Sequence, residues 1–249
     1  MTPAGEFDSL VAIVSGGASG IGAATVSALQ QRGARVASID LTESPSADLS
    51  LVADLADDEA VRIAVQRTAQ ELGGIDIVVN NAGIGARGTV EETTDPEWAR
   101  LFDVNVTGLV RLTRAALPHL RRSAAPAVVN TGSIAGHTGL QQRAAYSATK
   151  GAVHALTLAM AADHAAEGIR VNAVAPGTAN TPWVQRLLAS AADPDAERRS
   201  LDRRQPLGRL VEPAEIAAAI CYLVSPLSGS TTGTVLDVDG GSHGLLITR

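Results

Sequence analysis

The sequence is poor in aromatic residues and cysteine, and each shortage excludes a class of protein. Two Phe, two Trp and two Tyr among 249 residues leave the core to Ala, Val, Leu and Ile, which fill parallel strands and the helices packed on them. The single cysteine, Cys221, cannot form an internal disulfide, and the first residues lack the basic and then apolar pattern of a secretion signal. We therefore expect a cytoplasmic protein.

Positive charge and long apolar runs are also scarce. Lys and Arg total 20 against 26 Asp and Glu, a net charge of −6, which is the wrong sign for a protein that binds nucleic acid or anionic lipid. The apolar run at residues 152–162 is interrupted by His154 and Thr157, well short of the ~20 apolar residues that a bilayer span requires. We expect a small-molecule partner, no nucleic acid and no membrane segment.

Short apolar stretches alternate with segments of helical period along the whole chain. This alternation predicts an α/β fold, a single doubly wound Rossmann-type domain over residues 1–249 with a seven-stranded parallel sheet and helices on both faces. A stretch rich in Arg, Asp and Pro, residues 178–210, interrupts the alternation after the carboxyl end of a strand and predicts a substrate lid. The predicted strands are 10–15, 35–40, 49–53, 75–80, 127–131, 170–175 and 234–238, and the predicted helices are 21–32, 57–72, 98–117, 145–167 and 213–224.

A glycine-rich loop, SGGASGIG at residues 15–22, follows the first predicted strand. Glycine lets the backbone approach a pyrophosphate closely, and the first amides of the following helix face its negative charge. A tight turn with close helix packing would select the same glycines. We expect cofactor contacts from Gly16, Ser19, Gly20, Ile21 and Gly22.

Two acidic positions follow later strands. Asp40 ends the second strand about twenty residues past the loop, where a carboxylate accepts hydrogen bonds from the adenosine ribose and repels a 2′-phosphate, so NAD is favoured over NADP. Asp40 could instead cap a loop. Asp54 and Leu55 follow the third strand and are placed to hold the adenine edge, although Asp54 could equally be a helix N-cap.

Tyr146 and Lys150 are four residues apart in a predicted helix, so their side chains project from one face. A nearby ammonium and a positively charged nicotinamide stabilise a phenolate, which lets a tyrosine act as an acid and base. Ser133 follows the strand 127–131, where its hydroxyl can bind a substrate oxygen. Taken alone, a Tyr and a Lys at this spacing are more often a solvated helix face.

The chain resembles the short-chain dehydrogenase/reductase family over its whole length. The matching segments, in order, are SGGASGIG at 15–22, NNAG at 80–83, Asn105, Ser133, YSATK at 146–150, PG at 176–177 and VDGG at 238–241. The resemblance implies that Tyr146 is the general acid and base, that Lys150 binds the nicotinamide ribose, that Ser133 positions the substrate, and that Asn105 holds a water in a proton relay. It also implies cofactor contacts from Asn81, Ala82, Gly83, Pro176, Gly177, Thr178 and Thr181.

The substrate side of the predicted site is basic. Arg143 precedes Tyr146 by three residues and would lie on the same helix face if the helix has begun. The lid adds Arg186, other arginines and Trp183, which suggests a bound carboxylate held by Arg143 and Arg186. Solvated arginines paired with acidic residues of the lid would give the same pattern.

Within the family, the run GLQQRAAYSATK at 139–150 is similar to a subgroup that oxidises small hydroxy acids with NAD. That subgroup contains the 2-keto-3-deoxy-sugar-acid 4-dehydrogenases of L-fucose and L-rhamnose breakdown and the cytosolic hydroxybutyrate-dehydrogenase-like enzymes. A 3-oxoacyl thioester reductase, a sugar 1-dehydrogenase and a catalytically silent NAD-binding regulator remain alternatives. Tails like residues 240–249 pack across tetramer axes in this family, so a homotetramer is expected.

The histidines do not suggest a metal site. His119, His154 and His164 are scattered in sequence, and no metal is predicted. His137 lies between Ser133 and Tyr146, where the flanking glycines favour a structural position in a surface loop over a contact with substrate.

Overall fold

A computed structural model describes residues 5–189, 191 and 193–246 of the chain. Its strands are β1 (Val11–Ser15), β2 (Arg35–Asp40), β3 (Leu49–Val52), β4 (Ile77–Asn80), β5 (Ala127–Thr131), β6 (Arg170–Pro176) and β7 (Val235–Val238). Its α-helices are α1 (Gly20–Gln30), α2 (Asp58–Leu72), α3 (Asp95–Phe102), α4 (Gly108–Leu120), α5 (Ala144–His164), α6 (Pro182–Ala189), α7 (Pro194–Arg203) and α8 (Pro213–Val224).

The seven strands form one parallel sheet in the order β3-β2-β1-β4-β5-β6-β7. Every adjacent pair is parallel, which confirms the predicted doubly wound α/β fold. The chain reverses its direction of winding between β1 and β4, so a crevice opens outside the carboxyl ends of these two strands. Ligands bind at such a switch point in open α/β sheets.

Helices cover both faces of the sheet. On one face, α2, α4 and α5 bury residues such as Val65, Leu112 and Val153, and on the other face α1 and α8 bury Leu29 and Ile220. Phe7 is the one aromatic side chain in the buried apolar core that the structure describes. This composition confirms that small aliphatic residues build the core. Among the described helices, none is both long and apolar enough to cross a bilayer.

The helix predicted at residues 98–117 is two helices joined by a π-helical segment, Asp103–Thr107. The first of them, α3, begins at Asp95, three residues before the predicted start, because Thr94 and Glu97 form a capping box. The π segment carries Asn105, and π turns occur frequently at functional sites. A helical pattern of apolar residues does not distinguish such a segment from a continuous α-helix, so the prediction missed it.

The predicted lid, residues 178–210, contains two short helices, α6 and α7, that the sequence reading missed. Both begin at a proline, and the Asp193 carboxylate caps α7 by accepting from the Ala196 amide at 2.9 Å. Val184, Leu188, Leu201 and Leu210 form a small separate apolar cluster under the two helices. The dense charge of the segment hides this cluster in the sequence.

Candidate active site

The glycine-rich loop leaves β1 at the edge of the crevice. Gly16 and Gly20 have φ angles of +68° and +58°, in the left-handed region that glycine tolerates. A Cβ on Gly16 would lie 2.9 Å from the Ala82 Cα, and one on Gly22 would lie 1.9 Å from the Gly16 carbonyl oxygen. The tight turn and close packing therefore require glycine. The same turn leaves the first amides of α1 without partners inside the helix, available to an anion.

The loop is tied to the end of β4. The Ser15 hydroxyl accepts hydrogen bonds from the amides of Asn81 (3.0 Å) and Ala82 (3.1 Å). The Asn81 side-chain amide donates to the carbonyl oxygens of Ser15 (3.0 Å) and Gly16 (3.2 Å). Asn81 and Ala82 therefore fix the shape of the loop, in addition to any contact with a ligand. Ser19, at the N-cap of α1, is exposed and makes no capping hydrogen bond.

Asp40 ends β2 beside this loop. One carboxylate oxygen accepts from the Ala18 amide at 3.0 Å, and the other accepts from the Leu41 amide at 2.7 Å. The predicted loop-capping contact is thus present. The second oxygen also accepts from the Thr42 amide at 3.4 Å. Because each carboxylate oxygen carries two acceptor sites, one site remains for a ribose hydroxyl, on the oxygen that binds the Ala18 amide. The carboxylate also places a negative charge where a 2′-phosphate would lie.

The structure places Asp54 and Leu55 after β3, as predicted, but Asp54 is not a helix N-cap. Asp57 caps α2, since its side chain accepts from the Glu59 and Ala60 amides. The Asp54 carboxylate accepts from the Ala56 amide at 2.9 Å, in a turn before the helix. Leu55 is buried in the core, and its carbonyl oxygen accepts from Arg111 at 3.0 Å. A contact from Leu55 to an adenine would therefore use its backbone amide.

The loop after β6 reaches the start of α1. A Cβ on Gly20 would lie 3.3 Å from Thr181 Cγ2, so Thr181 lies against the glycine loop. Pro176 ends β6, and the Gly177 amide donates to the Val238 carbonyl at 3.0 Å. The Thr178 carbonyl accepts from the Val211 amide at 3.0 Å. These contacts hold the segment across the crevice from the glycine loop, and the two segments fit the pyrophosphate and nicotinamide ends of a dinucleotide.

Tyr146, Lys150 and Ser133 meet at the same edge of the sheet. The Lys150 Nζ lies 5.7 Å from the centre of the Tyr146 ring and donates to the Thr131 carbonyl at 2.8 Å. Burial lowers the pKa of Lys150 from its ordinary value to about 8. Glycine at position 83 leaves room beside it, since a Cβ there would lie 3.6 Å from Nζ.

The electrostatics of the phenol differ from the sequence-based expectation. Burial raises the pKa of Tyr146, while a hydrogen bond with Ser133 and the charge of Arg143 act in the opposite direction. The Lys150 ammonium is directed to a backbone carbonyl, and Arg143 is the cation whose charge acts on the phenol in the protein alone. The expectation that Lys150 acidifies the phenol stays a prediction.

Asn105 joins the π segment to α5, the helix that carries Tyr146 and Lys150. Its side-chain carbonyl accepts from the Ile84 amide at 2.8 Å, and its amide nitrogen donates to the Ile84 carbonyl (2.9 Å) and the Thr149 hydroxyl (3.1 Å). Thr149 in turn donates to the Tyr146 carbonyl at 2.8 Å. The Asn105 side chain therefore positions the first turn of α5 and the loop after β4. The predicted role in holding a water stays a prediction.

Arg143 is not in the helix, contrary to the condition under which it was predicted to face the site. It is the N-cap residue of α5, and its guanidinium donates to the Ala86 carbonyl at 2.7 Å. It nevertheless reaches the site, because its charge acts on Tyr146 and its Cζ lies 6.0 Å from the Trp183 ring centre. Burial is the largest cause that lowers the pKa of Arg143, and the charges of Arg87 and Arg204 lower it further.

The other predicted arginines divide into two groups. Arg198 pairs with Asp202 at 3.1 Å and Arg209 with Glu215 at 2.7 Å, as the solvated interpretation predicted. Arg186 is exposed on α6, three residues after Trp183. The reading of the sequence missed Arg87, which follows Ala86 in the loop after β4. The signal in the sequence was a basic residue four positions past the NNAG segment at 80–83.

His154 lies directly behind Ser133. Its Nε2 accepts from the Ser133 amide at 3.5 Å, and a Cβ on Gly132 or Gly136 would lie 2.3 or 2.5 Å from its ring atoms. Burial is the main reason that the pKa of His154 falls to about 4. The neutral imidazole supports the backbone that carries Ser133. Sequence reading assigned no role to this helix histidine.

The chain is similar to known dehydrogenases over most of its length. A family model described as enoyl-(acyl carrier protein) reductase matches residues 16–243. Cis-4-hydroxycyclohexanecarboxylate dehydrogenase from Sinomonas cyclohexanicum is 38% identical over 247 residues, which cover 94% of this chain and 97% of the relative. L-Fucose dehydrogenase from Bos taurus is 41% identical over 242 residues, which cover 94% of this chain and 89% of the relative. Ligand-free Thermoplasma acidophilum aldohexose dehydrogenase is similar in structure, with a TM-score of 0.92, 29% identity and coverage of 99% of this chain and 100% of that one.

Proposed function

Because the chain belongs to the short-chain dehydrogenase/reductase family of oxidoreductases, we propose that it uses NAD to oxidise the secondary hydroxyl of a small hydroxy acid. A 2-keto-3-deoxy sugar acid is a candidate for that acid. The observation that carries the proposal is the half-buried Arg143 guanidinium beside Tyr146 and Trp183. A carboxylate bound there would be fixed at a set distance from the reacting carbon.

The residues at the sheet edge have separate tasks in this proposal. The Tyr146 phenolate takes the hydroxyl proton of the substrate, and the Ser133 hydroxyl binds the same oxygen as its charge develops. Lys150 holds the nicotinamide ribose from the position beside Gly83. When bound, the oxidised nicotinamide would accept the hydride and would bring a positive charge close to the phenol.

NAD is proposed over NADP because of Asp40. The carboxylate lies at the end of β2 with an acceptor site for a ribose hydroxyl on the oxygen that binds the Ala18 amide, and a 2′-phosphate there would meet its charge. Neither Ala18 nor Ser19 in the glycine loop nor Leu41 after Asp40 offers a cation to neutralise a phosphate.

One relative supports a hydroxy acid as substrate, and the other comparisons name its competitors. The Sinomonas relative is named for a ring alcohol that carries a carboxylate, which agrees with a guanidinium in the pocket. The bovine relative is named for a neutral sugar, and the family model is described by an acyl-carrier substrate. A neutral aldose and an acyl thioester are therefore the competing substrate classes.

A substrate panel combined with an arginine substitution tests the proposal. Hydroxy acids, 2-keto-3-deoxy sugar acids, the matching aldoses and a 3-oxoacyl thioester are assayed with NAD and with NADP. We expect Arg143→Gln to raise KM about tenfold or more for the accepted acids, because charge-assisted hydrogen bonds are lost. The same variant should change KM for a neutral alcohol little. The pH–rate curve of the variant with that alcohol should move to higher pH, because Arg143 lowers the pKa of Tyr146.

The matched control is Arg199→Gln, which removes an exposed arginine of α7 and should leave KM unchanged. An unchanged KM of Arg143→Gln for every accepted acid contradicts the carboxylate contact. Turnover restricted to aldoses or thioesters contradicts the hydroxy-acid proposal as a whole.

Two further properties belong to the same proposal. We place the enzyme in the cytoplasm, where its one thiol, the buried Cys221, would stay reduced. We also propose a homotetramer, in which the exposed Leu245 and Leu246 of the tail are covered by a second chain. Ile247, the third apolar residue of that tail, lies outside the described residues. A mass of about four times the chain's 25.4 kDa by light scattering is the expected result.

A further inference from the structure

The fold brings together three metal-binding side chains that the sequence leaves far apart. His137 follows the 3-10 turn Ile134–Gly136, Asp237 lies in β7, and His243 lies in the turn after β7. One ligand atom of each lies within 4.8 Å of the ligand atoms of the other two. We propose that His137, Asp237 and His243 bind a divalent transition-metal ion of the zinc class.

The separations suit an ion of that size. The His137 Nε2 lies 3.1 Å from an Asp237 carboxylate oxygen. Around a tetrahedral zinc ion with bonds of about 2.0–2.2 Å, neighbouring ligand atoms are roughly 3.3–3.6 Å apart. The His137 and His243 rings face each other with centroids 3.9 Å apart, so binding requires a small outward rotation of one ring. Both rings are accessible to solvent at this surface, which leaves space for that rotation.

The surroundings hold His243 in place. The Thr138 hydroxyl is hydrogen-bonded to the His243 Nδ1 at 2.9 Å, and a proton on Nδ1 leaves the Nε2 lone pair free for a metal. Such a contact to the second ring nitrogen is usual for histidines that bind metals. The Asp239 carboxylate accepts from the backbone amides of Gly241 (2.8 Å) and His243 (2.6 Å). The ligand is therefore carried by a turn that is fixed without the metal.

The donor set and the local charge select the kind of ion. Two imidazole nitrogens and one carboxylate are typical of zinc sites that keep an open position for water, whereas Mg²⁺ and Ca²⁺ prefer oxygen ligands. At neutral pH the carboxylate gives the group a negative charge, which favours a cation. Arg209, which lines the groove beside Asp237, does not supply that cation, because it forms a bidentate pair with Glu215 at 2.7 and 2.8 Å.

A bound ion would link the segment after β5, which carries Ser133 and His137, to β7. His137 is four residues past Ser133, and its ring centre is 5.0 Å from that of His154, which supports the Ser133 amide. The metal would therefore cross-link the segment that carries Ser133 to β7 and the turn that follows it. The expected effect is greater thermal stability of the folded chain.

The test uses the full chain, stripped with a chelator and then titrated with zinc chloride. We expect one Zn²⁺ per chain by calorimetry and a rise of about 5 °C or more in the thermal midpoint at a hundredfold excess over Kd. Asp237→Asn and His243→Ala should each abolish the shift and weaken binding at least tenfold. Both positions are exposed, so the variants keep the core intact, and circular dichroism checks their folding.

The matched control is His164→Gln. His164 also faces a carboxylate, that of Glu167 at 3.4 Å, but it is not in the three-ligand group. This variant should keep the full zinc shift. The proposal is overturned if zinc binds without a one-to-one stoichiometry, if it gives no shift, or if Asp237→Asn and His243→Ala respond as the unsubstituted chain does. In those cases the His137 and Asp237 side chains only contact each other beside the tilted His243 ring.

Discussion

Tyr146 lies among groups that act on its proton in opposite directions. Burial raises the pKa of the phenol, whereas Ser133 and Arg143 lower it. The protein alone thus holds the phenol protonated near neutral pH, and any further acidification must come from what binds beside it. In the proposed reaction, Tyr146 would therefore accept a proton only after the cofactor has bound.

We predict that Tyr146→Phe lowers kcat about 100-fold or more, since the substitution removes the group that transfers the proton. Affinity for NAD should change little, because the glycine loop and Asp40 are untouched. Stopped assays at 340 nm and a fluorescence titration measure the two quantities. Tyr222→Phe is the matched control, since Tyr222 is 53% exposed on α8. Retention of more than a tenth of the kcat in Tyr146→Phe would show that another group carries the proton.

Lys150 is the only lysine in the sequence, and it is 5% exposed. Its positive charge therefore lies where desolvation disfavours the charged form. The shift in its pKa from 10.5 to about 8 corresponds to about 3 kcal/mol of desolvation at neutral pH. Lysine presents one compact charge to the Thr131 carbonyl. The planar guanidinium of an arginine would not reproduce this contact.

Because there is one lysine, its titration can be followed directly. Protein grown with lysine labelled at the ε-carbon should give a single side-chain NMR signal that titrates near pH 8. We predict that Lys150→Met abolishes turnover yet leaves the free energy of unfolding at pH 7 unchanged or up to about 2 kcal/mol higher, as a desolvated charge is removed and one hydrogen bond is lost. Urea denaturation measures it. A signal that titrates near pH 10.5 would contradict the lowered pKa of Lys150. A fall of more than about 1 kcal/mol in the free energy of unfolding of Lys150→Met would contradict the cost of desolvating its charge.

At the scale of elements, the proposed cofactor contacts come from the carboxyl ends of β1, β2, β4 and β5, and the proposed substrate contacts come from the segments after β5 and β6. Asp40 lies at the end of β2 and also holds the glycine loop, because its carboxylate accepts a hydrogen bond from the Ala18 amide. A substitution at Asp40 must therefore separate its charge from its hydrogen bond. Asparagine keeps one side-chain oxygen for the Ala18 amide and removes the charge, but it loses the second oxygen, which binds the Leu41 amide.

We predict that Asp40→Asn lowers the ratio of kcat/KM for NAD over NADP by about tenfold or more, equivalent to about 1.4 kcal/mol. The gain should appear as better use of NADP, because repulsion of the 2′-phosphate is relieved. Asp54→Asn, at the end of the neighbouring strand, is the control and should leave the ratio unchanged. An unaltered ratio in Asp40→Asn would mean that the carboxylate serves only the loop.

Some elements of the fold could be predicted from the sequence and others could not. The strands, the sheet and the Tyr146–Lys150 face were predictable, because buried parallel strands and four-residue spacing leave regular patterns. The π segment at Asn105 and helices α6 and α7 were not, since each depends on a side-chain contact or a proline start within an irregular pattern. Arg143 reaches Tyr146 from the N-cap, through a bond to Ala86 that no spacing rule predicts.

At the scale of the whole molecule, stability depends on keeping His154 uncharged. The imidazole is 9% exposed and lies under the backbone of Gly132 and Gly136. Burial, followed by the charges of His137 and Lys150, lowers its pKa from 6.5 to about 4. In the unfolded chain the same group takes up a proton at its ordinary pKa, so the unfolded state binds more protons between these two values.

We predict that the free energy of unfolding falls as the pH drops from 6.5 toward 4, by up to about 3 kcal/mol from this one group. His154→Gln removes the titrating group and keeps an acceptor for the Ser133 amide, so its stability curve should be flatter in that window, while His164→Gln should keep the original slope. Urea denaturation at half-unit pH intervals compares the three proteins. Equal slopes in His154→Gln and the unsubstituted chain would place the acid sensitivity in the carboxylates instead, since the protonation of His154 would then cost the folded molecule nothing.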